Sequence, residues 1–285
     1  LHLPFFFFLS AVSIDPIEKK PLYHFYPGSS IFSVGFYGCS FHCPFCQNFR
    51  IAQFTPNGEN RRTQPAELVE QALTQGASAI AYTYSEPLVH FEWILETAKQ
   101  AHRKGLKNVL VSNGYINPKP ADELLDVLDA ANIDFKSNRS EFYKKVVGGK
   151  IEPVKAFIKK AAKRIHLELT TLVIPGHTDS REEITEISEF IATQHPDIPL
   201  HLSCYYPAYK FDAPPTEPDT VFELTEIARR HLNFVYPGNV GLREVNTRCS
   251  ECGNVLVRRR GYQVEMPGIK GGSCAQCGHP VPFPL

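Results

Sequence analysis

The run Ile31-Phe32-Ser33-Val34-Gly35-Phe36, continuing as Tyr37-Gly38-Cys39-Ser40-Phe41-His42-Cys43-Pro44-Phe45-Cys46-Gln47-Asn48, decides how the rest of the chain is read. Its first part is apolar, aromatic and β-branched, the composition of a buried strand. Its second part is a loop carrying three thiols in C-x3-C-x2-C spacing. In parallel α/β folds, chemistry collects just beyond the carboxyl ends of the strands. A strand that runs straight into a cysteine loop therefore predicts a parallel sheet with its site at that end.

Downstream, short strand-like runs alternate with longer amphipathic ones. Strands are expected at 31–36, 78–83, 108–112, 132–135, 166–174 and 199–204. Helices are expected at 66–74, 89–103, 121–128, 154–163 and 182–193, where apolar residues such as Ile94, Leu95, Ala98 and Ala101 recur at i+3 and i+4. Alternation of this kind implies right-handed βαβ crossovers. The predicted fold is α/β, a partial (β/α)6 TIM-like barrel, with a further helix at 220–230 and a strand at 233–236 closing one edge. After Asn246 the pattern gives way to glycines and cysteine pairs, so the chain divides into an N-terminal segment (1–30), a core (31–245) and a small module (246–285).

Bulk properties exclude several classes. At 43% hydrophobic residues the chain can bury a large core, which rules out disorder. Lys+Arg and Asp+Glu each number 30, so no net field draws the protein to nucleic acid or an anionic membrane. No run approaches the roughly 20 apolar residues of a membrane span. The opening Leu1-His2-Leu3-Pro4 and the phenylalanines after it lack a basic n-region, and the only methionine is Met266. The opening is read as a truncated or misassigned start, and the compartment as cytoplasmic. Arg258, Arg259 and Arg260 are read as solvated strand residues, with no nucleic-acid contact.

Seven of the eight cysteines fall into two groups, which favours metal ligation over disulfides. Cys39, Cys43 and Cys46 can hold three irons of a cubane cluster and leave the fourth iron open. A zinc ion with His42 as fourth ligand is the alternative, but zinc prefers repeated C-x2-C pairs. Those pairs are found at Cys249/Cys252 and Cys274/Cys277, where four thiolates predict a closed tetrahedral site. Zinc is expected there, with iron of rubredoxin type as rival. A module of about forty residues needs such a staple to fold.

The cysteine loop, with an aromatic residue before its third cysteine, resembles the signature of the radical S-adenosylmethionine (radical SAM) superfamily. Over nearly the whole chain the resemblance narrows to the AmmeMemoRadiSam-system radical enzymes, relatives of pyruvate formate-lyase activating enzyme. It is carried by Asp15-Pro16-Ile17-Glu18-Lys19-Lys20-Pro21-Leu22-Tyr23-His24-Phe25, by Cys46-Gln47-Asn48, by Ala81-Tyr82-Thr83-Tyr84-Ser85-Glu86-Pro87 and by the cysteine-pair tail. The chain departs from the family in three ways: it lacks an upstream cysteine-containing segment, has Phe36-Tyr37 in place of a smaller pair, and carries Cys204 where arginine is usual.

The resemblance implies a [4Fe–4S] cluster that cleaves S-adenosylmethionine to a 5′-deoxyadenosyl radical, which abstracts hydrogen from an unidentified small-molecule or protein substrate. It also implies a low-potential electron donor of flavodoxin or ferredoxin type. Cofactor-binding positions follow at the strand ends: Tyr84, Ser85 and Glu86, Asn113, Asp134 and Lys136, Ile174, and His201. Cys204 reads as a small buried apolar residue. Two other functions remain open, an activase that makes a glycyl radical on a protein partner and a non-catalytic metal-binding adaptor. Glu86, Asp134 and Lys136 disfavour the adaptor, since a structural cluster needs no pocket beside it.

Overall fold

The computed structural model describes residues 7–53, 62–241 and 243–285. Its centre is a sheet of nine strands in the order β3-β1-β2-β4-β5-β6-β7-β8-β9. The strands are β1 (Phe7–Pro16), β2 (Ser30–Phe36), β3 (Arg62–Thr63), β4 (Ala79–Thr83), β5 (Lys107–Ser112), β6 (Ala130–Asp134), β7 (His166–Val173), β8 (Leu200–Cys204) and β9 (Val235–Gly238). From β2 to β9 every neighbouring pair is parallel. Helices lie between them in the chain: α1 (Phe49–Ala52), α2 (Pro65–Thr74), α3 (Phe91–Arg103), α4 (Pro118–Leu125), α5 (Ser140–Phe142), α6 (Ile151–Ala161), α7 (Arg181–Ala192) and α8 (Pro218–Ala228). The fold is the expected α/β partial barrel, and all six expected strands form in parallel, with β9 as the seventh.

Successive side chains of a strand point to opposite faces, and here both faces are buried. Phe32, Val34 and Phe36 of β2, Ile80 and Tyr82 of β4 and Ile133 of β6 join the large core shared with the helices. Their neighbours Ile31, Ala79, Ala81, Val109 and Ala130 face the barrel interior and pack on Ile17, Leu22 and Phe25 of the N-terminal segment. Each fully buried aliphatic or phenylalanine side chain contributes about 1.5–3 kcal/mol, so the floor of the barrel is closed by an apolar plug. Cys204 is 1% exposed and joins the helix-side core.

Local signals set the helix starts. Pro65 and Pro118 occupy the first turns of α2 and α4, where the missing N–H costs nothing. Ser180 caps α7 by accepting from the Glu183 N–H at 3.1 Å.

The division at residue 30 does not coincide with a break in the sheet. Residues 1–6 lie outside the described residues, but β1 pairs antiparallel with β2 from Leu9↔Phe36 to Pro16↔Ser30 and extends the sheet. Its pattern is inverted: Val12 and Ile14 are 43% and 41% exposed, while Asp15 is buried. An apolar-outward strand gives no ordinary amphipathic signal.

The C-terminal module has a three-stranded sheet of β10 (Thr247–Arg248), β11 (Val255–Arg260) and β12 (Gln263–Glu265). A hairpin of β13 (Ile269–Lys270) and β14 (Ser273–Cys274) follows. Of the three arginines expected in solvent, Arg259 is buried instead. The alternation of β11 turns it inward onto the barrel floor, where it donates to Thr247 Oγ1 at 2.7 Å and to the Tyr23 carbonyl at 2.6 Å. Among the described residues no helix is long and apolar enough to cross a membrane.

Candidate functional site

At the carboxyl ends of the parallel strands lies a cavity of about 370 Å3, lined by Cys39, Cys43 and Cys46 together with Tyr84, Ser85, Glu86, Asn113, Asp134 and Lys136. Six of the eight strand-end positions expected to bind cofactor therefore meet the three thiols in one space. Gly38 at φ +92° lets the chain turn from β2 into the cysteine loop. The loop is held from outside by His42 N–H donating to the Val147 carbonyl at 3.0 Å.

Glu86 ties three elements together. Its carboxylate accepts from Leu88 N at 2.9 Å, Ser112 Oγ at 2.7 Å and Asn113 N at 2.8 Å, and its own N–H donates to the Gly38 carbonyl at 3.3 Å. Burial, partly offset by these donors, pushes its pKa up to about 7. Glu86 is thus a brace between β4, β5 and the cysteine loop, with its oxygens already committed. Asn113, held by that brace, directs its amide to Ser40 Oγ at 3.1 Å and toward Cys39 Sγ at 3.8 Å.

Lys136 Nζ pairs with Asp134 Oδ2 at 3.0 Å. Burial disfavours the ammonium, but Asp134 and the Cys43 sulfur outweigh it and raise its pKa. Tyr84 sits in the left-handed region at φ +74°, a strained choice for a tyrosine. Its carbonyl accepts from Asn48 Nδ2 of the cysteine loop, while its hydroxyl donates to Asp15. Gly35 makes room for this ring, since a Cβ there would stand 2.9 Å from Tyr84 Cδ2 and 2.7 Å from Ser10 Oγ.

Burial raises the pKa of all three loop thiols, that of Cys39 to about 12, so binding a metal here must displace protons. The donor set suits an iron–sulfur cluster. Three soft sulfurs open on one cavity, and Phe41 N–H approaches Cys39 Sγ at 3.3 Å, as N–H groups do around cluster sulfurs. His42 does not line the cavity that the thiols share: its ring is exposed and its Nδ1 pairs with Gln53 Oε1 at 3.1 Å.

The ribbon thiols are arranged differently. Cys249, Cys252, Cys274 and Cys277 place their sulfurs within 4.8 Å of one another. Cys249–Cys277 and Cys252–Cys274 are each 3.6 Å apart, close to the edge of about 3.8 Å that a tetrahedron of 2.3 Å zinc–sulfur bonds requires. Gly253 and Gly278, at φ +72° and +77°, close the two knuckles. Backbone N–H groups of Cys277 and Gln276 help hold the Cys274 thiol down to about 6, favouring the thiolate that a metal needs.

Two expected positions lie elsewhere. His201 begins β8 rather than ending it, so it faces the barrel floor, where its Nε2 meets Glu168 Oε2 at 2.7 Å. Glu168 also takes His166 Nε2 and the backbone N–H groups of Tyr23 and His24. Ile174 is 1% exposed in the helix-side core and does not line the cavity. Conversely, Lys19, Lys20, Asn48 and Thr170 line the cavity without having been expected there. Lys19 and Lys20 belong to a motif that carried the family resemblance, which was the available signal.

Residues 33–191 match the family model described as the radical SAM superfamily. Uncharacterized protein MJ0808 of Methanocaldococcus jannaschii is 38% identical over 96% of this chain and 84% of its own length. Pyruvate formate-lyase 1-activating enzyme of Escherichia coli strain K12 is 26% identical over 54% of this chain and 65% of that protein. Streptococcus suis SuiB bound to S-adenosylmethionine superposes with a TM-score of 0.55 at 15% identity, covering 71% of this chain and 48% of that one, a likeness of fold alone. With the family model spanning more than half its length, the chain belongs to the radical SAM superfamily of enzymes, for which a [4Fe–4S] cluster and S-adenosylmethionine are the implied cofactors.

Proposed function

We propose that the protein binds a [4Fe–4S] cluster through Cys39, Cys43 and Cys46, cleaves S-adenosylmethionine reductively, and abstracts hydrogen from a substrate held in the same cavity. The observation that carries this reading is that three thiols, with no fourth cysteine or histidine lining the cavity among the described residues, share it with the Asp134–Lys136 pair. When bound, the cluster supplies the low-potential electron that breaks the cosubstrate into methionine and a 5′-deoxyadenosyl radical.

The chain's own residues bind and orient. Asp134 and Lys136 offer a carboxylate and an ammonium to the zwitterionic methionine end. Tyr84, Ser85 and Asn113 shape the adjoining wall, and Glu86 acts through Ser112 and Asn113, holding the strand-end loops in register. Phe41, Phe45 and Leu172 line the cavity with apolar surface and limit water around a reactive radical. His201 and Ile174 take no part in cofactor binding on this reading. The reductant is a low-potential carrier of flavodoxin or ferredoxin type, the ribbon metal is zinc, and the clustered free thiols suit the reducing cytoplasm.

A second reading, an activase that generates a glycyl radical on a protein, draws support from the likeness to pyruvate formate-lyase 1-activating enzyme. Anaerobic incubation of reconstituted protein with dithionite and S-adenosylmethionine tests the main reading. It should release 5′-deoxyadenosine and methionine, and a fully formed, reduced cluster that leaves S-adenosylmethionine intact would sink it. A glycyl-radical resonance on an added protein, in the same assay, would select the activase.

A further inference from the structure

Lys19, Lys20 and Pro21, with the ring of Tyr84, form a wall of the cavity to which the reading above gives no cofactor contact from either lysine. Its charges do not cancel. Asp15, at the end of the inverted strand β1, takes Lys19 Nζ and Lys20 Nζ at 2.8 Å each, the Tyr84 hydroxyl, and Ser13 Oγ at 3.0 Å. Two ammonium groups thus share one carboxylate whose acceptor capacity is filled. Elsewhere in the lining, Asp134 and Lys136 neutralise each other, and the Glu86 carboxyl is occupied by the donors Leu88 N, Ser112 Oγ and Asn113 N rather than by either lysine.

The wall is also built, not incidental. The Lys20 side chain is 1% exposed and that of Asp15 6%. Lys20 Nζ lies 4.2 Å from the centroid of the Tyr84 ring, which a strained backbone and a glycine at position 35 hold in place. Strand β1 turns Asp15 inward while Val12 and Ile14 face solvent, the reverse of ordinary patterning. Such a reversal marks a site that stability alone does not explain. A buried net charge is costly unless an opposite charge meets it, and an ammonium has three donors, of which Lys20 spends one on Asp15.

The geometry points to Asp15, Lys19, Lys20 and Tyr84 as a recognition site for an anionic group, a carboxylate or a phosphate, on the substrate of the radical. The assignment rests on the radical reading above and deepens it by naming the substrate class. Asp15 is a positioning residue that holds both ammonium groups at the cavity wall. Lys20 supplies the buried donors, and Lys19, with its side chain 42% exposed, supplies charge at the rim.

Calorimetric titration of the anaerobically reconstituted full chain with inorganic phosphate, succinate and uncharged succinamide tests this. Phosphate or succinate should bind saturably and succinamide should not, the tighter of the two anions identifying the group. Lys20→Met should weaken anion binding about tenfold or more, and the half-exposed Lys19→Gln by about two- to fivefold. The affinity for S-adenosylmethionine should stay at the wild-type value in Lys19→Gln. Equal affinity for succinate and succinamide overturns the assignment, as does anion binding indifferent to Lys19→Gln in protein whose thermal melt shows it to be folded. Loss of S-adenosylmethionine affinity in place of anion affinity overturns it too, by handing the wall to the cosubstrate. Release of 5′-deoxyadenosine by the same preparation separates the two readings. Cleavage without anion binding removes this proposal alone, whereas anion binding without cleavage removes the radical reading and, with it, the assignment of the anion to the radical's substrate.

Discussion

At the carboxyl end of the sheet three thiols open onto a cavity of about 370 Å3, whereas in the C-terminal ribbon four thiols close to within 4.8 Å of one another. The donor atom is the same, and the backbone makes the difference. In the ribbon, two glycine-terminated knuckles face each other across short strands, and every ligand position of a tetrahedral ion is filled by the chain. In the loop, one segment carries all three thiols, and the space where a fourth would stand is left to the cavity. A closed set has no position left for a substrate, while an open set leaves a coordination position for a ligand.

The largest effects should come from the cysteines. Cys43→Ala should abolish iron–sulfur absorbance and 5′-deoxyadenosine release while the ribbon keeps its metal. Cys277→Ser should do the reverse, with metal analysis of both variants as the check. Loss of both metals from each variant would break the comparison.

Arg259→Ala should follow. Arg259 donates to Thr247 Oγ1 and the Tyr23 carbonyl, and its Nε lies 3.8 Å from Glu18 Oε1 with both side chains 1% exposed, so removing it strips the buried Glu18 of its opposite charge and leaves it the Gly28 N–H alone. The cost should be about 3–5 kcal/mol in chemical denaturation, with the loop cluster unaffected. An unchanged midpoint would mean that the ribbon is not anchored through this contact. Lys136→Ala should retain the cluster and lose about 1.5–3 kcal/mol of S-adenosylmethionine binding, roughly ten- to a hundredfold, measurable by equilibrium binding.

The barrel floor should respond to acid. Burial holds the His24 pKa well below its ordinary 6.5. The unfolded chain therefore gains a proton that the folded state refuses, and stability falls as pH drops below 6.5. Glu168 acts in the same direction at lower pH: its folded pKa lies well below 4.5 because His166 and His201 outweigh its burial, so its contribution is lost on acidification. A His24→Asn variant should show a shallower decline between neutral pH and pH 5 in thermal melts, and an unaltered slope would assign the acid response elsewhere. The smallest effect is expected at His42, whose ring is exposed. His42→Ala should change stability by less than about 0.5 kcal/mol and leave the cluster spectrum intact.

Much of this arrangement was legible in local pattern. The parallel strands, the loop thiols and the paired knuckles each depend on residues a few positions apart, and the family resemblance, read at the strand ends, pointed to Glu86, Asn113, Asp134 and Lys136. What failed was direction and depth. Glu86 was legible as a site residue but not as a brace, because its partners Ser112 and Asn113 arrive from another strand. His201 was placed at the wrong end of its strand because Glu168, its partner 33 residues away, is invisible in one dimension.

By itself the sequence determined the α/β class, the run of parallel strands and the two groupings of cysteines, since these rest on composition and on spacings within single elements. Only the tertiary structure decided that the inverted strand β1 joins the sheet, that Arg259 is buried under Tyr23, and that Lys19 and Lys20 reach the same cavity as Cys39. Those outcomes depend on which faces of distant segments meet. An outward apolar strand such as β1 and an inward arginine such as Arg259 are stable only once a partner covers or pairs them.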